Sequence, residues 1–223
     1  MKHKVKECVF LDINSNSSTV FIFLSPRIPF LHKYELFRKP YVDADMGIGS
    51  GLIIMNKLQD GAHQVAGEFG HITADPDGPL CNRGNPGCLE AVSSGIAILR
   101  EAKKQIAERS NHPLRDKLDT LTIHELLEIG GKGDATAIII LNHSAYKLGE
   151  AVATLINMLD PEVIIIGGML VFGYEPYLNI IRETALQRRL PGMRENQIVR
   201  AKCGRQAGVI GAGELVADNF FII

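Results

Sequence analysis

The chain has 223 residues, a formal net charge of −1, 46% hydrophobic residues and no Trp. That is enough length to bury a substantial core, and the balanced charge excludes nucleic-acid binding by bulk electrostatics. The early apolar run Val20–Leu24 is too short to cross a bilayer. Four Cys without a secretory leader (Cys8, Cys81, Cys88 and Cys203) fit a reducing, cytoplasmic compartment, where paired Cys more often ligate metal than form disulfides.

In chain order, the first forty residues differ from the rest. Every Gly lies at or after Gly47, while Phe10, Phe21, Phe23, Phe30 and Phe37 cluster early. No period of two or 3.6 dominates there, so the segment reads either as a strand-rich start with Ser-Pro and Asn-Ser turns or as the remnant of a first lobe. From Tyr41 the pattern becomes regular. A strand over Tyr41–Asp45, a Gly turn over Met46–Gly51 and a strand over Leu52–Met55 make a hairpin. Gly47, Gly49 and Gly51 could line an anion site with consecutive backbone N–H groups, although such a turn is often only a tight turn.

Ser93 or Ser94 caps a helix to about Glu108 with Ile96, Leu99 and Ile106 on one face. A short helix over Leu121–Ile129 ends at Gly130-Gly131. Asp134 opens a long helix to about Leu159, with Ile138, Leu141, Ala145, Leu148, Val152, Leu155 and Ile156 at helical spacing. Asp160-Pro161 stops it. Val163–Ile166 is a buried strand that delivers Gly167-Gly168 at its C-terminal end, where ligands gather in open α/β sheets. A helix over Pro176–Arg189, a strand over Gln197–Ala201 and a helix from Ala207 to about Asn219 follow. Strands alternating with helices predict an α/β layer. The apolar tail Phe220-Phe221-Ile222-Ile223 would be core or an oligomer contact.

Most of the chemistry sits between Gly67 and Glu90, GEFGHITADPDGPLCNRGNPGCLE. His71, Cys81 and Cys88 have the spacing of a metal-stapled loop. Glu68 and Glu90, tied to the same loop, could accept hydrogen bonds from a polyhydroxylated ligand. Three ligands plus water, or a substitute carboxylate from Asp75 or Asp77, would make a zinc site. The alternative is a loop held by Gly turns, Pro79 and Pro86 with two free thiols.

This segment closely resembles the signature of the ROK family of sugar kinases and sugar-sensing repressors. Glu68-Phe69-Gly70-His71 matches its Glu-x-Gly-His. Cys81, Gly84, Gly87, Cys88 and Glu90 match its Cys-x-Cys-Gly-x-x-Gly-Cys-x-Glu, with Arg83 at the middle Cys. The resemblance implies the C-terminal lobe of the actin-like, sugar kinase/ribonuclease H-like ATPase fold over 41–223, a mixed sheet flanked by helices with a Cys/His loop insertion. It implies sugar contacts from Glu68, His71 and Glu90. It also implies nucleotide-facing turns at Gly47, Gly49 and Gly51 and at Gly167 and Gly168, and structural zinc on His71, Cys81 and Cys88 with one family ligand replaced by Arg83.

The family's Asp-containing, Gly-rich phosphate loop has no counterpart upstream of Gly47, and Asn14 stands where its catalytic Asp would fall. No catalytic residue and no ATP are therefore expected. The reading is a truncated, sugar-responsive regulator of the xylose or N-acetylglucosamine repressor type, without direct contact to nucleic acid or membrane. It would form a dimer or other homo-oligomer, or pair with full-length relatives. The alternative is a glucokinase-like or N-acetylmannosamine kinase-like enzyme phosphorylating a hexose with ATP.

Overall fold

The computed structural model of the chain describes residues 10–13, 20–23, 38–55, 57–192 and 197–202. Within the first forty residues, β1 (Phe10–Ile13) and β2 (Val20–Phe23) pair antiparallel. The main sheet comprises β3 (Arg38–Ala44), β4 (Ile48–Ile54), the two-residue β5 (Lys57–Leu58), β6 (Val163–Gly167) and β7 (Gln197–Arg200), in the order β5-β4-β3-β6-β7. β3 is antiparallel to β4 and parallel to β6, and β6 is parallel to β7, so the sheet is mixed.

Strand β3 is buried along almost its whole length, as expected of a strand covered on both faces. Its Pro40 lacks an N–H and precedes the Tyr41–Asp43 stretch that pairs on both sides, so the doubly paired ladder loses no donor.

The connection from β5 to β6, which runs parallel to β3, carries the helices α1 (Leu89–Ser93), α2 (Gly95–Ala107), α3 (Ile123–Gly131) and α4 (Ala135–Leu159). α5 (Met169–Gly173) and α6 (Pro176–Arg188) follow β6. α4 is the central helix: α1, α2, α3 and α6 all pack on it. Leu141, Ala145, Leu148, Val152 and Ile156 along α4 are fully buried, as the helical spacing predicts, and Leu155 is buried too. Asp134 accepts from the Ala137 N–H as the cap. Asp160 closes the helix in the left-handed region (φ 42°), ahead of Pro161. Ser93, Ser144 and Tyr177 tie α1, α4 and α6 together inside the core. The Ser93 and Ser144 hydroxyls each donate to the other's carbonyl at 2.8 Å, and Tyr177 Oη lies 2.6 Å from Ser144 Oγ.

Three expectations need correction. The Gly turn is confined to residues 45–47, and β4 already begins at Ile48, so Gly49 and Gly51 are strand residues paired with Asp43 and Tyr41. The α2 face is rotated: Ile96 is exposed, and Ala97, Ile98, Ala102 and Ile106 are buried. Small Ala side chains allow close approach, which a pattern of large apolar residues does not register. In α3, Gly130 and Gly131 lie within the last turn, and the start is set by a capping box between Thr122 and Glu125. The predicted helix from Ala207, the apolar tail and Asn14 lie outside the described residues.

Candidate functional site

The loop between β5 and α1 is held by its own backbone. Gly87 N–H donates to Pro79 O, Ala74 and Asp75 N–H to Gly87 O, and Cys81 N–H to Asn85 O. Gly87 is at φ +63° directly against Asp75, where a Cβ would collide with the Asp75 carbonyl, so the glycine is required there. The Ser50 hydroxyl of β4 donates to Gly67 O at 2.8 Å, and the Lys147 ammonium of α4 donates to Ala74 O at 3.4 Å, docking the loop onto sheet and helix.

Cys88 is the residue before α1 and Glu90 lies in its first turn, so the Cys-x-Glu spacing places the carboxylate on a helix end rather than in the loop. Glu90 comes against the Gly turn, because a Cβ on Gly47 would sit 3.2 Å from Glu90 Oε2. A Cβ on Gly70 would meet the Ile48 carbonyl and approach Glu90 Cβ at 3.4 Å. The short 3-10 turn Phe69–His71 follows Glu68. Glu68, His71 and Glu90 thus all border the junction of this loop with β4.

An imidazole nitrogen of His71 and the thiols of Cys81 and Cys88 lie within 4.8 Å of one another. Both thiols are free and buried. Burial works to raise the Cys81 pKa, but hydrogen bonds from Cys88 and from backbone at Arg83, Asn85 and Cys81 itself outweigh it and hold the thiol below its ordinary value. Burial, the hydrogen bond to Cys81 and the charges of Cys81 and Glu90 push Cys88 up to about 11. Nδ1 of His71 is buried without a hydrogen-bond partner among the described residues. A buried, unpartnered imidazole nitrogen beside two thiols is the donor set of a thiophilic ion such as zinc, so these residues fit the metal with three ligands. Bound there, zinc would hold the loop rather than react.

Arg83 does not point to a fourth ligand position. Its Nε–H donates to His71 Nε2 at 3.0 Å, and its Nη2 reaches Glu68 Oε2 at 3.4 Å. Glu68 Oε2 is 3.5 Å from His71 Nε2, and the side chains of Glu68 and His71 are each 21% exposed. The carboxylate, the imidazole and the guanidinium make one half-exposed cluster.

The two glycine turns also meet, at a residue that sequence reading passed over. Asp45 Oδ1 accepts from Met46 N–H at 2.8 Å, and its Oδ2 accepts from Met169 N–H at 2.9 Å, just past Gly168. Gly168 (φ +91°) packs against Ala44, and Gly95 N–H donates to Asp45 O. Asp43, one turn of pleat earlier, takes a hydrogen bond from Tyr41 Oη at 3.3 Å. Burial, and next the charge of Asp45, raise its pKa to about 6. At this junction the Met46 and Met169 N–H groups are thus bonded to the protein's own carboxylate. An Asp two residues before the first glycine of the turn was the available signal, since it is a side chain that can bond its local backbone.

A mixed sheet with helices packed on a long crossover helix, carrying a Cys/His loop flanked by two carboxylates, defines the α/β C-terminal lobe of an actin-like sugar-kinase fold. The chain belongs to the ROK family, whose model matches residues 41–219. It is 37% identical over 178 residues to a glucokinase of Halalkalibacterium halodurans (78% of this chain, 54% of that protein) and 32% identical over 182 residues to a xylose repressor of Caldicellulosiruptor bescii (80% and 46%). Among solved structures, a ROK family glucokinase from Streptomyces griseus in complex with glucose and AMPPNP superposes with TM-score 0.72 at 32% identity, covering 82% of this chain and 61% of that one. The chain spans about half the length of the curated relatives it matches. No helix among the described residues is long and apolar enough to cross a membrane.

Proposed function

We propose that this chain recognises a sugar or sugar derivative through Glu68, His71 and Glu90 and acts as a sugar-responsive regulator rather than as a kinase. The carrying observation is the Glu68–His71 pair, with 3.5 Å between polar atoms, each side chain about one-fifth exposed, on a loop docked to the sheet. Each carboxylate oxygen accepts from a hydroxyl, and a semi-buried carboxylate discriminates against ligands that leave it unpaired. A glucose complex of a relative and a xylose repressor among the relatives support a sugar as the ligand class.

The regulator reading is supported by Asp45. A nucleotide phosphate brought to the junction of the two glycine turns would compete with a carboxylate for the Met46 and Met169 N–H groups and meet its charge. In this reading ATP is not a ligand, zinc on His71, Cys81 and Cys88 is structural, and further sugar contacts come from a second copy or a longer relative. The net charge of −1 supports no direct nucleic-acid contact. The kinase reading has its own support, the 37% identity to a glucokinase.

One experiment tests both. Binding of glucose, xylose and N-acetylmannosamine is measured by calorimetry for the chain, Glu68→Gln and Glu90→Gln, and ADP release is followed with MgATP and each sugar. Saturable binding lost in both variants, with ADP release at the blank rate, is expected. Sugar-dependent turnover would replace the regulator by the kinase, and no binding of any sugar would remove the sugar site itself.

A further inference from the structure

Arg83 makes two bonds whose chemistry conflicts with metal on the same histidine. Guanidinium is a donor only, so a hydrogen bond from Arg83 Nε–H at 3.0 Å requires the lone pair of His71 at Nε2. In the neutral imidazole the proton then sits on Nδ1, the buried nitrogen with no partner among the described residues. With Nε2 taken up by Arg83 and Glu68, Nδ1 is the nitrogen left for a metal held with Cys81 and Cys88, and that needs the opposite arrangement. Nδ1 must offer its lone pair and Nε2 must carry the proton, so that two N–H groups would face each other where Arg83 and His71 now bond. The Nε2–H has another acceptor in reach, Glu68 Oε2 at 3.5 Å, and metal-ligating histidines commonly donate their second N–H to a carboxylate. Arg83 is in turn half-exposed, at 52%, so its guanidinium can leave for water.

We propose that Arg83 is a metal-displaced plug. In the metal-free chain it fixes the Nδ1–H tautomer of His71 and covers Glu68. Metal binding through His71 Nδ1, Cys81 and Cys88 moves the proton to Nε2, turns His71 toward Glu68 and drives the guanidinium off. The polar edge of Glu68 and His71 is then open to hydroxyl groups. Metal loading and sugar affinity become linked, each raising the other, because both compete with the same arginine. The second half of this inference rests on the sugar site proposed above. The first half, the exchange at His71, does not.

The test uses the full chain, labelled with ¹⁵N-histidine, kept reduced and stripped of metal. The His71 signal is assigned by its loss in His71→Asn. Long-range ¹H–¹⁵N spectra are expected to show the Nδ1–H tautomer in the metal-free chain and the Nε2–H tautomer after one equivalent of zinc. Arg83→Met should abandon the Nδ1–H tautomer without metal. It should also bind zinc about tenfold more tightly or better in competition with a chromophoric chelator, the scale of one hydrogen bond to a charged donor. The tautomer readout separates the plug from mere removal of a positive charge, which would alter affinity and leave the proton where it was. A metal-free chain already in the Nε2–H form, or an Arg83→Met variant with unchanged tautomer or unchanged zinc affinity, overturns the proposal. The sugar arm compares dissociation constants with and without zinc. Zinc should tighten sugar binding in the natural chain and leave it nearly unchanged in Arg83→Met, and an equal effect in both overturns the linkage. If the tautomer and zinc results hold and neither protein binds any sugar, the exchange at His71 stands and the sugar reading of the preceding subsection fails.

Discussion

Asp43 shows what position does to a single carboxylate. It sits near the end of β3, partly buried beside Asp45, with Tyr41 Oη as its donor, and its pKa rises from an ordinary 3.8 to about 6. Burial leads and the neighbouring charge follows. A raised acid pKa means that the folded chain holds the proton more tightly than the unfolded one, so this stability is fully present below about pH 4 and is lost as pH climbs through about 6. Two units correspond to about 3 kcal/mol at neutral pH. Asp43→Asn keeps an acceptor for Tyr41 and removes the charge. Its unfolding free energy relative to the natural chain should rise between pH 4 and pH 7 by about 2–3 kcal/mol, read from urea titrations at each pH. A difference that stays flat across that range would mean the carboxyl is not the group buried there. At this scale the sequence displayed Glu68, His71, Cys81, Cys88 and Glu90, because motif spacing marks them. Asp43, Asp45 and the turning of Arg83 to His71 were not visible, since each depends on which chain segments meet.

At the scale of elements, local chemistry was legible wherever a helix begins or ends. Asp134, Ser94 and the Asp160-Pro161 stop were readable because caps act over three or four residues. Asp134 does more than cap α4: its Oδ2 lies 3.2 Å from Nε2 of His112, whose side chain is 5% exposed, and His112 Nδ1 accepts from Leu114 N–H. The loop between α2 and α3 is bolted to the start of the central helix by that pair. Asp134→Ala should therefore cost more than the roughly 1 kcal/mol of an ordinary cap, because it also removes the carboxylate that stands against a buried imidazole nitrogen with no hydrogen bond of its own among the described residues. A urea midpoint within error of the natural chain would show that the bolt contributes nothing. The face of α2 was misread for the complementary reason. Which face of a helix is buried depends on its neighbour, and Ala97 and Ala102 are buried although they are small.

For the whole molecule, the decisive contact is α4 on α6. Gly149 lies inside α4 where an Ala would ordinarily help the helix by about 1 kcal/mol. A Cβ there would stand 2.6 Å from Thr184 Cβ and 3.0 Å from the Ile181 carbonyl. Backbone cannot yield as a side-chain tip does, and overpacking costs about 1–3 kcal/mol, so packing wins over propensity. Gly149→Ala is expected to lower the thermal midpoint, and a raised midpoint would mean that α6 can shift freely.

The sequence by itself determined the family signature, the alternation of strands and helices and the helix caps, because these are written in residues close together in the chain. The tertiary structure alone decided that β3 lies between β4 and β6 and that Asp45 accepts from both the Met46 and the Met169 N–H groups. It also decided that Arg83 engages His71 and Glu68 rather than a metal position. Those outcomes rest on contacts between segments as far apart as Asp45 and Met169, which no local pattern encodes.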